Sequence, residues 1–251
     1  MSPPVRWMSA FLDNPRDRAR ELESFWSAVV GHPVSSRQGD HGEFAALEPP
    51  DGDPHLWFQD VDGPAALHPD LDVDDVESAA RDAALLGAHV MHGGVDRVAL
   101  SSPGGQPFCV VRHRGSVVRP APARWPGGAS IADQICLDIP SQGFEQEAVF
   151  WTSLTGWTRS HGQRREFDDL LPGPEMAMHL LLQRIDEPNG PTRAHLDLAC
   201  DDRDSETERH RALGADLVRR TQGWTTLRDP AGRVYCLTDR PAGVDKTLDG
   251  G

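Results

Sequence analysis

His68-Pro-Asp-Leu-Asp-Val-Asp-Asp75 and His195-Leu-Asp-Leu-Ala-Cys-Asp-Asp202 stand 127 positions apart in a chain of 251 residues. The same shift carries Leu86-Gly87-Ala88 onto Leu213-Gly214-Ala215, and Pro103, Gly105 and Cys109 onto Pro230, Gly232 and Cys236. Upstream the shift drops to 125, matching Phe25-Trp26 with Phe150-Trp151 and Gly31 with Gly156. It is 124 for His55-Leu56 and Gln59 against His179-Leu180 and Gln183. Loop insertions and deletions leave such small changes of shift, and so many ordered matches identify one unit written twice.

The elements follow from periodicity. Residues 134–139 alternate in apolar character, as a half-buried strand does. Residues 145–155 place Val149, Phe150 and Leu154 at helical spacing, with Gly156 to close the helix. Two or three strands follow, the last reaching Ile185. Residues 195–199 form another strand, 203–213 an amphipathic helix stopped by Gly214, and 217–220, 224–227 and 233–237 short strands. Each repeat is thus strand–helix–three strands, performed twice, and the first reads the same way from Trp7 to Arg112. The predicted boundaries are 5–113 and 131–239 for the repeats, 114–130 for a Pro/Gly-rich linker and 240–251 for a frayed tail.

Composition narrows the function. The formal net charge is −14, and no basic stripe is present to neutralise phosphates, which excludes nucleic acid as a partner. No apolar run reaches membrane-spanning length, and no apolar signal region follows Met1, so a cytoplasmic location is expected. The four cysteines, Cys109, Cys136, Cys200 and Cys236, lack CxxC spacing and are expected to be reduced thiols.

The His-Leu-Asp-Leu-x-x-Asp-Asp strand, the Leu-Gly-Ala helix end and the Asp-Pro-x-Gly-x-x-x-Cys-Leu final strand together resemble the vicinal oxygen chelate superfamily, specifically its glyoxalase-like domains. The resemblance covers nearly the whole chain. It implies an α+β fold of two tandem domains, each of paired βαβββ modules curled into a mainly antiparallel cup. The two would pack as an internal pseudo-dimer, the chain being a monomer or a homodimer. Members of the superfamily include metal-dependent lyases, isomerases and dioxygenases, and metal-free drug-binding proteins of the bleomycin-resistance type. Chemistry therefore has to be argued from the cup.

Three sites compete. In metal-using relatives four cup-facing positions hold the metal; the alignment puts Gln134, His179, His195 and Cys236 there in the second repeat, and Trp7, His55, His68 and Cys109 in the first. Two imidazoles and a thiolate suit Zn²⁺ with a fourth position open, whereas cysteine in place of the family's final-strand glutamate argues against glyoxalase I and extradiol chemistry. Equally, Cys109 and Cys236 suit small buried positions, with Phe108 and Tyr235 packing on the opposite face. The second site is acid–base: His195 with Asp197, and His68 with Asp70, lie two apart on a strand and share a face. The third is a ligand cup lined by Trp7, Phe11, His55, Trp57, Gln134, His179 and Trp224. Trp26 and Trp151 are assigned to the core. The leading expectation is a metal-independent cup for a small apolar or aromatic ligand or substrate, acting as a binding protein or a histidine-assisted enzyme without a cofactor. The alternative is a divalent-metal lyase, isomerase or dioxygenase centred on His179, His195 and Cys236.

Overall fold

The computed structural model describes residues 4–162 and 164–243. The first repeat runs β1 (Val5–Pro15), α1 (Ala19–Val30), β2 (Phe44–Ala46), β3 (Leu56–Val61), β4 (Ala66–Val73), α2 (Val76–Leu85), β5 (His89–Gly93), β6 (Arg97–Ser101) and β7 (Pro107–Arg112). After β8 (Ala123–Trp125), the second repeat runs β9 (Gly128–Pro140), α3 (Phe144–Thr155), β10 (Thr158–His161), β11 (Phe167–Leu171), β12 (His179–Ile185), β13 (Arg193–Cys200), α4 (Arg203–Ala212), β14 (Asp216–Arg220), β15 (Trp224–Arg228) and β16 (Val234–Thr238).

Each repeat makes one sheet. The orders are β2-β3-β1-β4-β7-β6-β5 and β10-β11-β12-β9-β13-β16-β15-β14. An antiparallel pair, β1·β4 or β9·β13, lies at the middle of each sheet and joins its two modules. Parallel pairs β1·β3, β4·β7, β9·β12 and β13·β16 flank it. The expected two tandem α+β domains are therefore present, and each cup is built within one repeat. The segment 114–130 holds β8, which pairs with the start of β9. Arg240, placed in the tail, is held to Asp133 by two hydrogen bonds of 2.6 and 3.0 Å; positions 244–251 lie outside the described residues.

Local chemistry explains the helix limits. Asp75 and Asp202 cap α2 and α4, their carboxylates accepting from the backbone N–H of Ser78 and Ser205 at 2.9 and 3.0 Å, which satisfies donors with no partner in the first turn. Gly31 and Gly156 end α1 and α3 in the left-handed region, at φ 72° and 69°, where a side chain would be strained.

The helices are exchanged across the seam between repeats. Trp26 on α1 packs its ring 5.0 Å from that of Tyr235 on β16, and Trp151 on α3 lies 5.2 Å from Phe108 on β7. All four rings are buried, as the core assignment of Trp26 and Trp151 required. Both indoles find buried carboxylates, Trp26 Nε1 donating to Asp229 at 3.1 Å and Trp151 Nε1 to Glu147 at 3.0 Å. Glu147 also accepts from Ser102 Oγ and Gly104 N in the first repeat. Arg233 donates back to Asp13 O and Asn14 Oδ1, each at 2.7 Å. Hydrogen bonds made across the seam in this way favour one relative placement of two apolar faces.

Candidate functional site

The central strands set the site. His68 and Asp70 follow each other at two-residue spacing on β4, as do His195 and Asp197 on β13, so each pair shares a sheet face. His195 Nδ1 lies 3.0 Å from Asp138 Oδ2, on the neighbouring β9, and its Nε2 lies 3.3 Å from Asp197 Oδ1. The first repeat reproduces this, with His68 Nδ1 3.0 Å from Asp13 Oδ2 and Nε2 3.4 Å from Asp70 Oδ1. Both imidazoles are buried. Burial works against the charge on His195, but the sulfurs of Cys136 and Cys236 and the carboxylates of Asp197 and Asp138 favour it. The balance raises its pKa well above the ordinary imidazole value. His68 moves the same way: burial opposes its charge, and Asp13, Asp70 and Cys109 outweigh it.

Cysteine completes each cluster. The donor atoms of His195, Asp197 and Cys236 lie within 4.8 Å of one another, as do those of His68, Asp70 and Cys109 and those of Cys136, Asp138 and His195. Burial pushes the Cys136 thiol up.

The two cups differ in size and content. The second holds a cavity of about 710 Å³ lined by Gln134, His195, Asp197 and Cys236 together with Leu181, Phe167 and Trp224. Arg164 lies with its guanidinium 5.1 Å from the Trp224 ring, which meets Phe167 edge-on at 5.8 Å. The first cup is smaller, about 420 Å³, and lined by Phe11, Phe44, Trp57, Asp70 and Arg97. Phe11 stacks between Trp57 and His68, with ring centroids at 5.8 and 5.3 Å. Arg97 reaches into the first cluster: its Nε donates to Cys109 Sγ at 3.2 Å, and its Nη2 donates to Gln59 Oε1 at 3.1 Å. Nη2 also stands 3.3 Å from His68 Nε2.

Of the residues predicted from sequence, His195, Asp197, Gln134, Cys236 and Trp224 line the second cavity, and Phe11, Trp57 and Asp70 line the first. Three of the expected cup residues lie elsewhere. Trp7 is 1% exposed and belongs to the apolar core. The strand register sets Ser9 opposite Asp70, as Gln134 is opposite Asp197, so Ser9 is the true counterpart of Gln134. A register irregularity between Val5 and Trp7 sits beside it. His55 faces the seam, its ring Nε2 2.8 Å from the Ala132 carbonyl oxygen. His179 stands behind Gln134, donating from Nε2 to Gln134 Oε1 at 2.7 Å, while the Gln134 amide donates to Asp197. The donor atoms of His195, Asp197 and Cys236 lie together, and Gln134 links Asp197 to His179.

The sequence reading missed Asp13, Asp138 and Arg97. Asp13 and Asp138 match at the 125 shift already seen in the helices, and that signal could have found them. Nothing in the sequence brings Arg97 to His68.

Comparison with known proteins supports the architecture. A family model described as "Glyoxalase-like domain" matches residues 9–111 and again 134–238. No curated protein matches the chain. The Mn(II)-bound glyoxalase from Novosphingobium aromaticivorans superposes with a TM-score of 0.64 at 17% identity, over 95% of this chain and 83% of that one. The 2,3-dioxygenase LapB from Pseudomonas sp. KL28 gives 0.64 at 15%, over 100% and 96%. A variant homoprotocatechuate 2,3-dioxygenase from B.fuscum in complex with HPCA gives 0.64 at 15%, over 96% and 72%. At such identities these likenesses speak to fold alone. Two tandem matches that span most of the chain make it a member of the glyoxalase-like domain family, carrying the domain twice.

Proposed function

We propose that the second cup is the working site, holding a small molecule with a flat, largely apolar body and presenting His195 to it for proton exchange, with no metal required. The observation that carries this is the cavity of about 710 Å³ lined by a carboxylate-flanked imidazole together with Trp224, Phe167 and Leu181. Concave apolar space with a few convergent polar groups is the usual form of a ligand site. An imidazole held by Asp138 on one nitrogen and facing Asp197 with the other has a fixed orientation for giving or taking a proton. In the first repeat the same residue types surround the Arg97 guanidinium, whose charge balances Asp70 there.

Convergence of the donors favours a second reading. His195, Asp197 and Cys236 form a borderline-soft set for one divalent ion, and Asp138 on Nδ1 is the partner a ligating histidine usually has. An ion there would polarise a ligand oxygen; the three residues would hold it, and Gln134 would steady Asp197.

The deciding experiment is elemental analysis of protein purified without chelator, followed by titration with a panel of aromatic compounds while tryptophan fluorescence is read in excess chelator. The proposal expects saturable quenching in chelator that is lost in Trp224→Leu, and no stoichiometric metal. About one metal per chain, removed together with ligand binding by chelator and absent from His195→Ala, would replace it with the metal reading.

A further inference from the structure

The first cup contains a bound cation of its own, the Arg97 guanidinium, and the sheet registers show which second-cup residues correspond to its surroundings. Asp13 pairs with Gln59 and Gln183 with Asp138; Phe44 pairs with Gln59 and Phe167 with Gln183. Gln59 and Phe44 thus correspond to Gln183 and Phe167, while His68, Asp70 and Cys109 correspond to His195, Asp197 and Cys236. Around Arg97 these groups act together: Cys109 and Gln59 accept from it, Asp70 Oδ2 lies 3.8 Å away, and Phe44 lies beneath its guanidinium at 5.1 Å. All five corresponding residues line the second cavity.

Other lining positions differ, among them Ser9 against Gln134 and Trp57 against Leu181, and two of the changes bear on the cation. Arg97 is two residues before Ala99, the partner of Cys109; Trp224 is two before Thr226, the partner of Cys236. Trp224 therefore stands in the place of Arg97. Phe11 pairs with His68 and Cys136 with His195, so Cys136 replaces Phe11. The residues that surround Arg97 are retained, and no arginine stands at its own position. Asp197 is 3% exposed and its Oδ1 makes no hydrogen bond, its nearest charge being His195 Nε2 at 3.3 Å.

We propose that the buried end of the second cup receives a planar organic cation, an amidinium or guanidinium group borne by an aromatic small molecule. Its N–H groups donate to Asp197, Cys236 and Gln183, its plane lies on Phe167, and its aromatic body extends along Trp224. This rests on the reading that the second cup is the ligand site, and adds the charge and shape of the group it takes. Four arginines line the cavity. Arg164, Arg193 and Arg219 are exposed, where solvent and salt screen them, and Arg193 pairs with Glu187; Arg240 is held by two hydrogen bonds to Asp133, and its charge reaches Asp197 as well.

The test is calorimetric titration of the full chain, in chelator, with benzamidine and its neutral and anionic counterparts benzamide and benzoate. Benzamidine is expected to bind at one equivalent, with the other two weaker by about tenfold or more. Asp197→Asn should weaken benzamidine by a similar factor. Trp224→Arg, which restores the internal cation, should abolish binding without changing the unfolding midpoint, and Arg97→Ala should add a second equivalent. Benzoate or benzamide binding as tightly as benzamidine would overturn the cation assignment and leave the ligand cup standing. So would benzamidine binding that Trp224→Arg does not change. Failure of every aromatic compound to bind would remove both readings together.

Discussion

Substituting His55 should remove much of the acid sensitivity of this fold. The ring is buried at the seam, where Nε2–H donates to Ala132 O across the repeats and Nδ1 has no partner. Burial lowers its pKa from 6.5 to about 4, only partly opposed by the Ala132 carbonyl. The sign follows from linkage: between pH 6.5 and 4 the unfolded chain binds a proton that the folded chain refuses, so stability falls as pH drops through that window and levels off below it. The full cost is about 3 kcal/mol, from the separation of the two values. At pH 5 about 2 kcal/mol of it is already felt, against about 0.2 kcal/mol at pH 7. His55→Gln keeps a donor for Ala132 and does not titrate. Urea unfolding of both proteins at pH 7 and pH 5 should show the wild type losing about 2 kcal/mol more than the variant. Equal losses would mean that His55 is protonated without disturbing the seam, and the account of its burial would be wrong.

Glu147→Ala leaves Trp151 Nε1, Gly104 N and Ser102 Oγ without their acceptor, and should cost about 3–5 kcal/mol in urea unfolding; a loss below about 1 kcal/mol would count against a seam fixed by this carboxylate. Trp7→Ala should cost about 3–5 kcal/mol through its core cavity while leaving ligand affinity in the second cup unchanged, and a selective loss of binding would restore Trp7 to a cup role. Asp138→Asn removes one carboxylate that favours the charged form of His195, so the His195 imidazole, followed by NMR, should titrate lower than in the wild type. An unmoved titration would show that Asp138 does not act on the ring.

The sequence made the architecture legible because the repeat is anchored where packing tolerates little change. His68 and His195, Asp70 and Asp197, and Cys109 and Cys236 fall at one constant shift, on strands at or beside the middle of each sheet. The helices were legible from apolar spacing and their closing glycines. Register on the first strand was marked only by Leu12 and Asp13, which match Leu137 and Asp138 at the 125 shift; Ser9 against Gln134 and Phe11 against Cys136 are unlike, and Trp7 was drawn onto the Gln134 position. A slip of two residues keeps the alternation parity, so periodicity offers no warning.

By itself, then, the sequence determined the duplicated fold, the central His-x-Asp pairs and the cysteines beside them, since each depends on residues close together or on a repeat that aligns them. Only the tertiary structure decided what those groups face. Arg97 reaches His68 through strand pairing across β4, β7 and β6, and His55 turns to the seam because the second repeat supplies the Ala132 carbonyl there. Which side chain fills a cup and which is left open to a ligand is set by contacts between distant strands. No local pattern encodes them, and two copies of nearly the same motif came to hold an arginine in one cup and an open cavity in the other.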